Sequence, residues 1–171
     1  SMVNANTSLD PNADGGGIQN TDGTLSLTNV TMTDNESGRQ GGAISNSSNG
    51  QTSIANSNIY SNTAGTFGGA IVNSGQLTID KTRIANNRAE NQGGAMHLTS
   101  ATGVVTISNS AITGNSAADS GGISHVGGQA EIINTTISQN IARDNGTPTG
   151  GIRAWAGALT TTLTNTTIIS N

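Results

Sequence analysis

Leu25-Ser26-Leu27-Thr28-Asn29-Val30-Thr31-Met32-Thr33-Asp34-Asn35 carries a spacing that returns through the rest of the chain. An apolar residue is followed five positions later by a second one, and three positions after that by Asn. The apolar pairs are Leu27/Met32, Ile54/Ile59, Ile79/Ile84, Ile107/Ile112, Ile132/Ile137 and Leu163/Ile168. They are closed by Asn35, Asn62, Asn87, Asn115, Asn140 and Asn171. A Gly-Gly-led segment opens each unit and ends on Ile18, Ile44, Ile71, Met96, Ile123 or Ile152, at steps of 25 to 29 residues. A period of this size is the signature of a solenoid, in which each repeat completes its core only by stacking on the next.

Composition limits the alternatives. With one Trp, one Tyr and one Phe in 171 residues, the core has to be aliphatic and thin. Twenty-four Gly and 9 % charged residues would suit a disordered chain, but disorder does not keep apolar residues in register through six units. There is no Cys, so neither a disulfide framework nor a thiolate metal site is available. No apolar run is long enough to span a bilayer as a helix, and membrane insertion by this segment is not expected. Ser1-Met2 reads as a tag scar, and a repeat that closes on the last residue, Asn171, reads as a piece of a longer protein.

Within a unit the hydrophobic period is two. Leu77-Thr78-Ile79-Asp80 and Val105-Thr106-Ile107-Ser108 alternate as strands with one buried face do. Asn29, Asn56, Asn109, Asn134 and Asn165 follow at the next position and predict a left-handed corner, which Asn tolerates; Lys81 is the one departure. A second strand carries Met32 or its counterpart, and the Gly-Gly-led segment is a third, with Gly easing the corner. Three short strands per coil, stacked at about 4.8 Å, give a right-handed parallel β-helix of about six coils and about 25–30 Å. Residues 1–14 are expected to be the scar and an N-terminal leader or cap, and 15–171 the β-helix. Identical side chains in register predict an internal amide ladder of Asn35, Asn62, Asn87, Asn115, Asn140 and Asn171.

Gly-Gly-Ala-Ile at 41–44 and 68–71 and Gly-Gly-Ala-Met at 93–96 resemble the paired tetrapeptide repeats of bacterial polymorphic outer-membrane proteins, which are autotransporter passengers. The second motif of that family, Phe-x-x-Asn, here has an aliphatic residue in place of Phe, as in Ile59-Tyr60-Ser61-Asn62 and Ile84-Ala85-Asn86-Asn87. The pattern is also similar to large bacterial surface proteins known as right-handed β-helix repeats. The resemblance covers residues 15–171 and implies a secreted or cell-surface scaffold or adhesin segment. A host protein or glycan is the expected partner.

Parallel β-helices that cut or epimerise polysaccharides gather carboxylates over neighbouring coils of one face. Register does not gather them here. Asp80 falls in an outward column between Ala55 and Ser108, and Glu131 in a different column between Thr106 and Thr162. No catalytic residue, metal ligand set or cofactor is therefore assigned, and the chain reads as non-enzymatic; the alternative is a carbohydrate-active lyase or hydrolase whose catalytic residues lie largely outside this segment. A net charge of −4 with six scattered basic residues excludes the basic stripe that nucleic acid requires. Binding chemistry is densest late in the chain. His97, His125 and Arg153 fall on three consecutive Gly-Gly-led strands, with alternation turning His97 and Arg153 outward and His125 inward or into the corner. Trp155 lies two residues beyond Arg153, and the longest closing loop, 141–148, carries Arg143 and Asp144. A recognition surface is thus expected to include His97, Arg143, Asp144, Arg153 and Trp155. The strand edges of the last coil are expected to invite end-to-end self-association.

Overall fold

The computed structural model describes residues 2–3, 5–7, 10–99, 103–144, 148–155 and 157–171, apart from the side chains of residues 7, 158 and 159. Among the described residues there is no helix; all the strands pair in parallel, each with the strand one coil away, in a solenoid of about six turns. The second full coil shows the order. Ile44–Asn46 lies in the first sheet, Gln51–Ala55 in the second, Asn58–Tyr60 in the third and Thr63–Ala64 in the fourth. Register is held from coil to coil, as in Ile44↔Ile71↔Met96↔Ile123↔Ile152. The sequence predicts three strands per coil, and the structure has four. The extra strand is two residues long wherever it occurs, too short to display a period of two, so alternation could not reveal it.

The inward columns are those the spacing predicts. Ile54, Ile79, Ile107 and Ile132 stack in the second sheet, Met32, Ile59, Ile84, Ile112 and Ile137 in the third, and all are buried. Each buried aliphatic contributes about 1.5–3 kcal/mol, which is how a chain with so few aromatics supports a core. Met2–Val3 and Asn6–Thr7 extend the third and fourth sheets by one strand each, placing the leader on the first coil in strand register. At the other end Leu163, Ile168 and Ile169 are exposed.

From the second coil on, two corners of each coil share one construction. At the corner between the second and third sheets a residue takes a left-handed conformation (Asn56 φ 51°, Asn109 φ 51°, Asn134 φ 47°). The hydroxyl that follows, on Ser57, Ser110 or Thr135, donates to the carbonyl two residues back at 2.6–2.9 Å. The same hydroxyl accepts the backbone N–H of the preceding coil, as in Val30 N to Ser57 Oγ at 3.1 Å. After the third sheet the left-handed residue is Asp34, Ser61, Asn86, Gly114, Gln139 or Ser170, and an Asn amide replaces the hydroxyl. Asn62 Nδ2 donates to the Tyr60 carbonyl at 3.0 Å, and Asn62 Oδ1 accepts the N–H of Asn35 at 3.0 Å. The amides also join one another. Nδ2 of Asn35, Asn62, Asn87, Asn115 and Asn140 each donates to Oδ1 of the next Asn at 2.7–2.9 Å, ending on Asn171.

Gly42, Gly69 and Gly94 mark a point of close approach between coils. A Cβ at any of them would lie 2.2 Å from the carbonyl oxygen of the glycine in the next coil, so no other residue fits. Lys81 occupies the left-handed corner with φ 47°, where its five counterparts are Asn. A left-handed conformation costs an ordinary L residue about 1–2 kcal/mol, and Asn relieves part of that. The contact Lys81 would surrender, 3.9 Å to Asp80 on an open surface, contributes little. Lys81→Asn is therefore expected to stabilise the protein by about 1 kcal/mol and to raise the thermal midpoint by about 2–4 °C. A midpoint that stays level or falls would show that the corner carries no strain.

Candidate functional site

On a flat sheet, alternation sends every second side chain to solvent. Most outward positions of the second and third sheets follow this, and Ser53, Thr78, Glu131, Asn58, Arg83 and Thr136 are exposed, although Thr33 and Ala85 of the third sheet are buried. The first sheet does not. Its outward column runs Gln19, Ser45, Val72, His97, Ser124 and Arg153, yet Ser45, Val72, His97 and Ser124 are buried. This face is therefore the floor of a trough parallel to the solenoid axis. One wall is the column Asp14, Gln40, Phe67, Gln92, Ser120 and Thr149, linked by parallel bridges along the corner before each first-sheet strand. The turns after those strands make the other wall, with Thr21, Ser47, Ser48 and Ser74 lining it in the first three coils.

Over the first three coils the trough is open, with a cavity of about 280 Å³. Its lining is amide and hydroxyl, including Gln19, Gln40 and Ser45. The one carboxylate there, Asp14, is paired with Arg39 (Nε to Oδ1, 2.7 Å) and accepts from Gln40 Nε2 at 3.2 Å. The cavity ends against Val72, the strand neighbour of His97. There Phe67 stacks on the His97 imidazole, with ring centres 4.7 Å apart and planes 15° apart. Burial beneath that ring leaves His97 Nδ1 without a hydrogen-bond partner and pushes its pKa down to about 4, so the imidazole is neutral at pH 7.

Farther along, Gln92 Oε1 accepts from Ser124 Oγ at 3.3 Å, and Ser124 Oγ accepts from Trp155 Nε1 at 3.2 Å. The Arg153 guanidinium lies 4.0 Å over the Trp155 ring and is ion-paired with Asp119 from the wall side. Stacking and ion pairing together fix the guanidinium and the indole in one arrangement. A larger cavity, about 530 Å³, lies elsewhere, against the edge of the last coil between Ile141, Pro148 and Asn171. Its walls are backbone, aliphatic side chains such as Ile141 and Pro148, and corner amides, with none of the aromatic or charged groups of the trough.

The structure thus brings Arg153 and Trp155 into contact and sets His97 in the same outward column. Arg143 is directed elsewhere. It donates to the Ala89 carbonyl at 2.7 Å and lies 3.9 Å from Glu90, beside the fourth sheet. The Asp144 backbone pairs with Ala118, and residues 145–147 of the same loop lie outside the described residues. His125 points inward, with Nδ1 2.8 Å from Thr161 Oγ1 and Nε2 3.0 Å from the Gly127 carbonyl. A carbonyl can only accept, so Nε2 carries the proton and Nδ1 accepts from Thr161. Asp80 and Glu131 stay in separate columns of the second sheet, and Asn109 and Ser108 hold the Asp80 carboxyl below the usual carboxylate range by hydrogen bonding. Among the described residues no three of His, Asp and Glu come together as a metal site would require.

Phe67, Gln92 and Ser124 belong to the site and are not singled out by sequence. Phe67 had one available signal: it precedes Ile71 by four residues, as Gln40 precedes Ile44 and Gln92 precedes Met96, which marks a corner column. Asn20, Asn46 and Asn73 form a second internal amide run under the same sheet, with Nδ2 to Oδ1 distances of 2.9 and 2.7 Å, and it also escapes the primary spacing.

Residues 29–47 match the Chlamydia polymorphic membrane protein repeat. The matched stretch runs from the left-handed Asn29 through the third-sheet strand and the amide corner at Asn35 to the Gly-Gly-Ala-Ile strand, so it spans two corners and the glycine contact of one coil. The chain is accordingly a β-helix repeat protein resembling these polymorphic membrane protein repeats, and the match points to a surface or autotransporter-type protein. No curated protein and no solved structure gives a significant match.

Proposed function

We propose that this β-helix is a non-enzymatic, cell-surface adhesin segment that uses the first-sheet trough to meet a host partner. The observation that supports this most strongly is the placing of rare side chains. The only Phe and the only Trp of the chain both stand on the trough, together with His97 and the Arg153–Asp119 pair. Core packing does not call for them, because the aliphatic columns close the interior without aromatic help. A rigid aromatic beside an arginine on an immobile sheet is the kind of group that dominates recognition surfaces. The second-sheet acids, kept in separate columns, support a binding role over a hydrolytic one.

The test is adhesion of the purified protein to host epithelial cells, compared with an Arg153→Ala/Trp155→Ala double variant whose circular dichroism matches the parent. Adhesion should fall about ten-fold or more, the effect of losing one recognition hot spot. Equal adhesion by the two proteins would remove the trough from the proposal. Release of reducing or unsaturated sugar from a bound polysaccharide would replace the adhesin with the catalytic alternative.

A further inference from the structure

We infer that the trough takes an extended, uncharged glycan chain lying parallel to the solenoid axis, with Phe67 and Trp155 as two stacking platforms; this rests on the adhesin reading and names its ligand class. Three features of the trough lead to this ligand. First, its direction: the floor is one continuous column through successive coils, so an occupant has to be linear and to repeat along the axis. The coil rise of about 4.8 Å is close to the length of one pyranose unit, so successive sugars meet successive coils.

Second, its polarity. The open part offers amides and hydroxyls, from Gln19, Gln40, Ser45 and Ser48, which suit the alternating donors and acceptors of sugar hydroxyls. Its formal charges occur in compensated pairs, Asp14 with Arg39 at one end and Arg153 with Asp119 at the other. His97 between them is neutral. A uronate or sulfate would find no uncompensated cation among these groups.

Third, its platforms. Phe67 lies at the start of the third coil and Trp155 in the sixth, three coil steps apart, or about 14 Å along the axis. Both rings are partly exposed, and both are held in place, Phe67 by stacking on His97 and Trp155 by Arg153 and the Ser124 hydroxyl. The apolar face of a pyranose packs on such rings. An occupant that touches both spans at least four sugar units, whereas a mono- or disaccharide reaches only one.

Trp155 is the only Trp of the chain, so its fluorescence reports the site directly. The probes are manno-, cello-, galacto- and lacto-series oligosaccharides of one to six units, with heparin, polygalacturonate and an unstructured peptide library in parallel. At least one neutral series should shift Trp155 emission saturably, with affinity rising steeply between two and four units. Phe67→Ala should weaken the longer oligosaccharides about three- to ten-fold, the range of one aromatic contact, while leaving disaccharide affinity unchanged. Gln40→Ala, on the open wall, gives an independent reading where Phe67→Ala does not fold. No response to any neutral series, a response only to the anionic polymers, or a response only to peptides would overturn the glycan assignment. Adhesion that depends on Trp155 and survives complete removal of host-cell glycans would do the same and leave the adhesin reading standing.

Discussion

Asn87→Ala is expected to cost about 3–5 kcal/mol, a large part of the stability of a domain this size. The Asn87 amide makes four hydrogen bonds in a fully enclosed corner. Nδ2 donates to Asn115 Oδ1 at 2.9 Å and to the Ile59 carbonyl at 3.1 Å, and Oδ1 accepts from the backbone N–H and the Nδ2 of Asn62, both at 2.9 Å. Asn62 Nδ2 keeps two carbonyl partners after truncation, those of Met32 and Tyr60. The Asn62 N–H and the Ile59 carbonyl lose the partner that side chain supplies, and each buried group left so costs about 1–3 kcal/mol. Asn171→Ala breaks the equivalent bonds to Asn140 and Ile137 at an exposed site, where water replaces them, and its cost should stay below about 1 kcal/mol. Denaturant unfolding of the two variants measures the difference. Equal losses at Asn87 and Asn171 would mean that the amide column does not support the stack.

That contrast also shows where sequence is informative about this fold. Apolar residues five apart followed by Asn fix three inward columns and one corner, because burial and left-handed backbone each restrict residue choice. The other left-handed position accepts Asp34, Ser61, Asn86, Gly114, Gln139 and Ser170, and so leaves no residue signature. There the Asn amide on the following residue supplies the closing bond, and the conformation is legible only as a consequence of it. The fourth strand is missed for a related reason. Its inward residues are Ser37, Ala64, Ala89 and Ala117, small enough to resemble turn composition, yet all are buried.

The candidate site divides in the same way. Alternation correctly turns Arg153 and His97 out and His125 in, since strand period alone decides it. Concavity is different in kind: a period of two says which way a side chain points and nothing about how high the neighbouring corners rise. His97 is outward and buried at once, a combination that depends on Phe67 arriving from another coil. Loop length groups Arg143 with Arg153 in the sequence. Its contacts with Ala89 and Glu90 place it on the fourth-sheet side, because the Ile141–Ala142 strand continues that sheet before the loop departs.

Burial of His97 should make the protein labile to mild acid. Its folded pKa of about 4 lies below the ordinary value of 6.5, so between those limits the unfolded chain binds a proton that the folded chain refuses. Stability therefore rises with pH across this window and is lost as pH falls from about 6.5 towards 4. The loss amounts to about 2 kcal/mol by pH 5 and about 3 kcal/mol by pH 4. His125 acts in the same direction, since burial also lowers its pKa, an effect its bonds to Gly127 and Gly128 partly offset. His97→Gln retains a polar planar group under Phe67 and removes the titration. Urea unfolding at pH 7 and pH 5 should show the parent losing about 2 kcal/mol more than this variant. If the two lose the same amount, the imidazole is not sealed beneath Phe67, and the trough is open to water at its centre as well as over its first three coils.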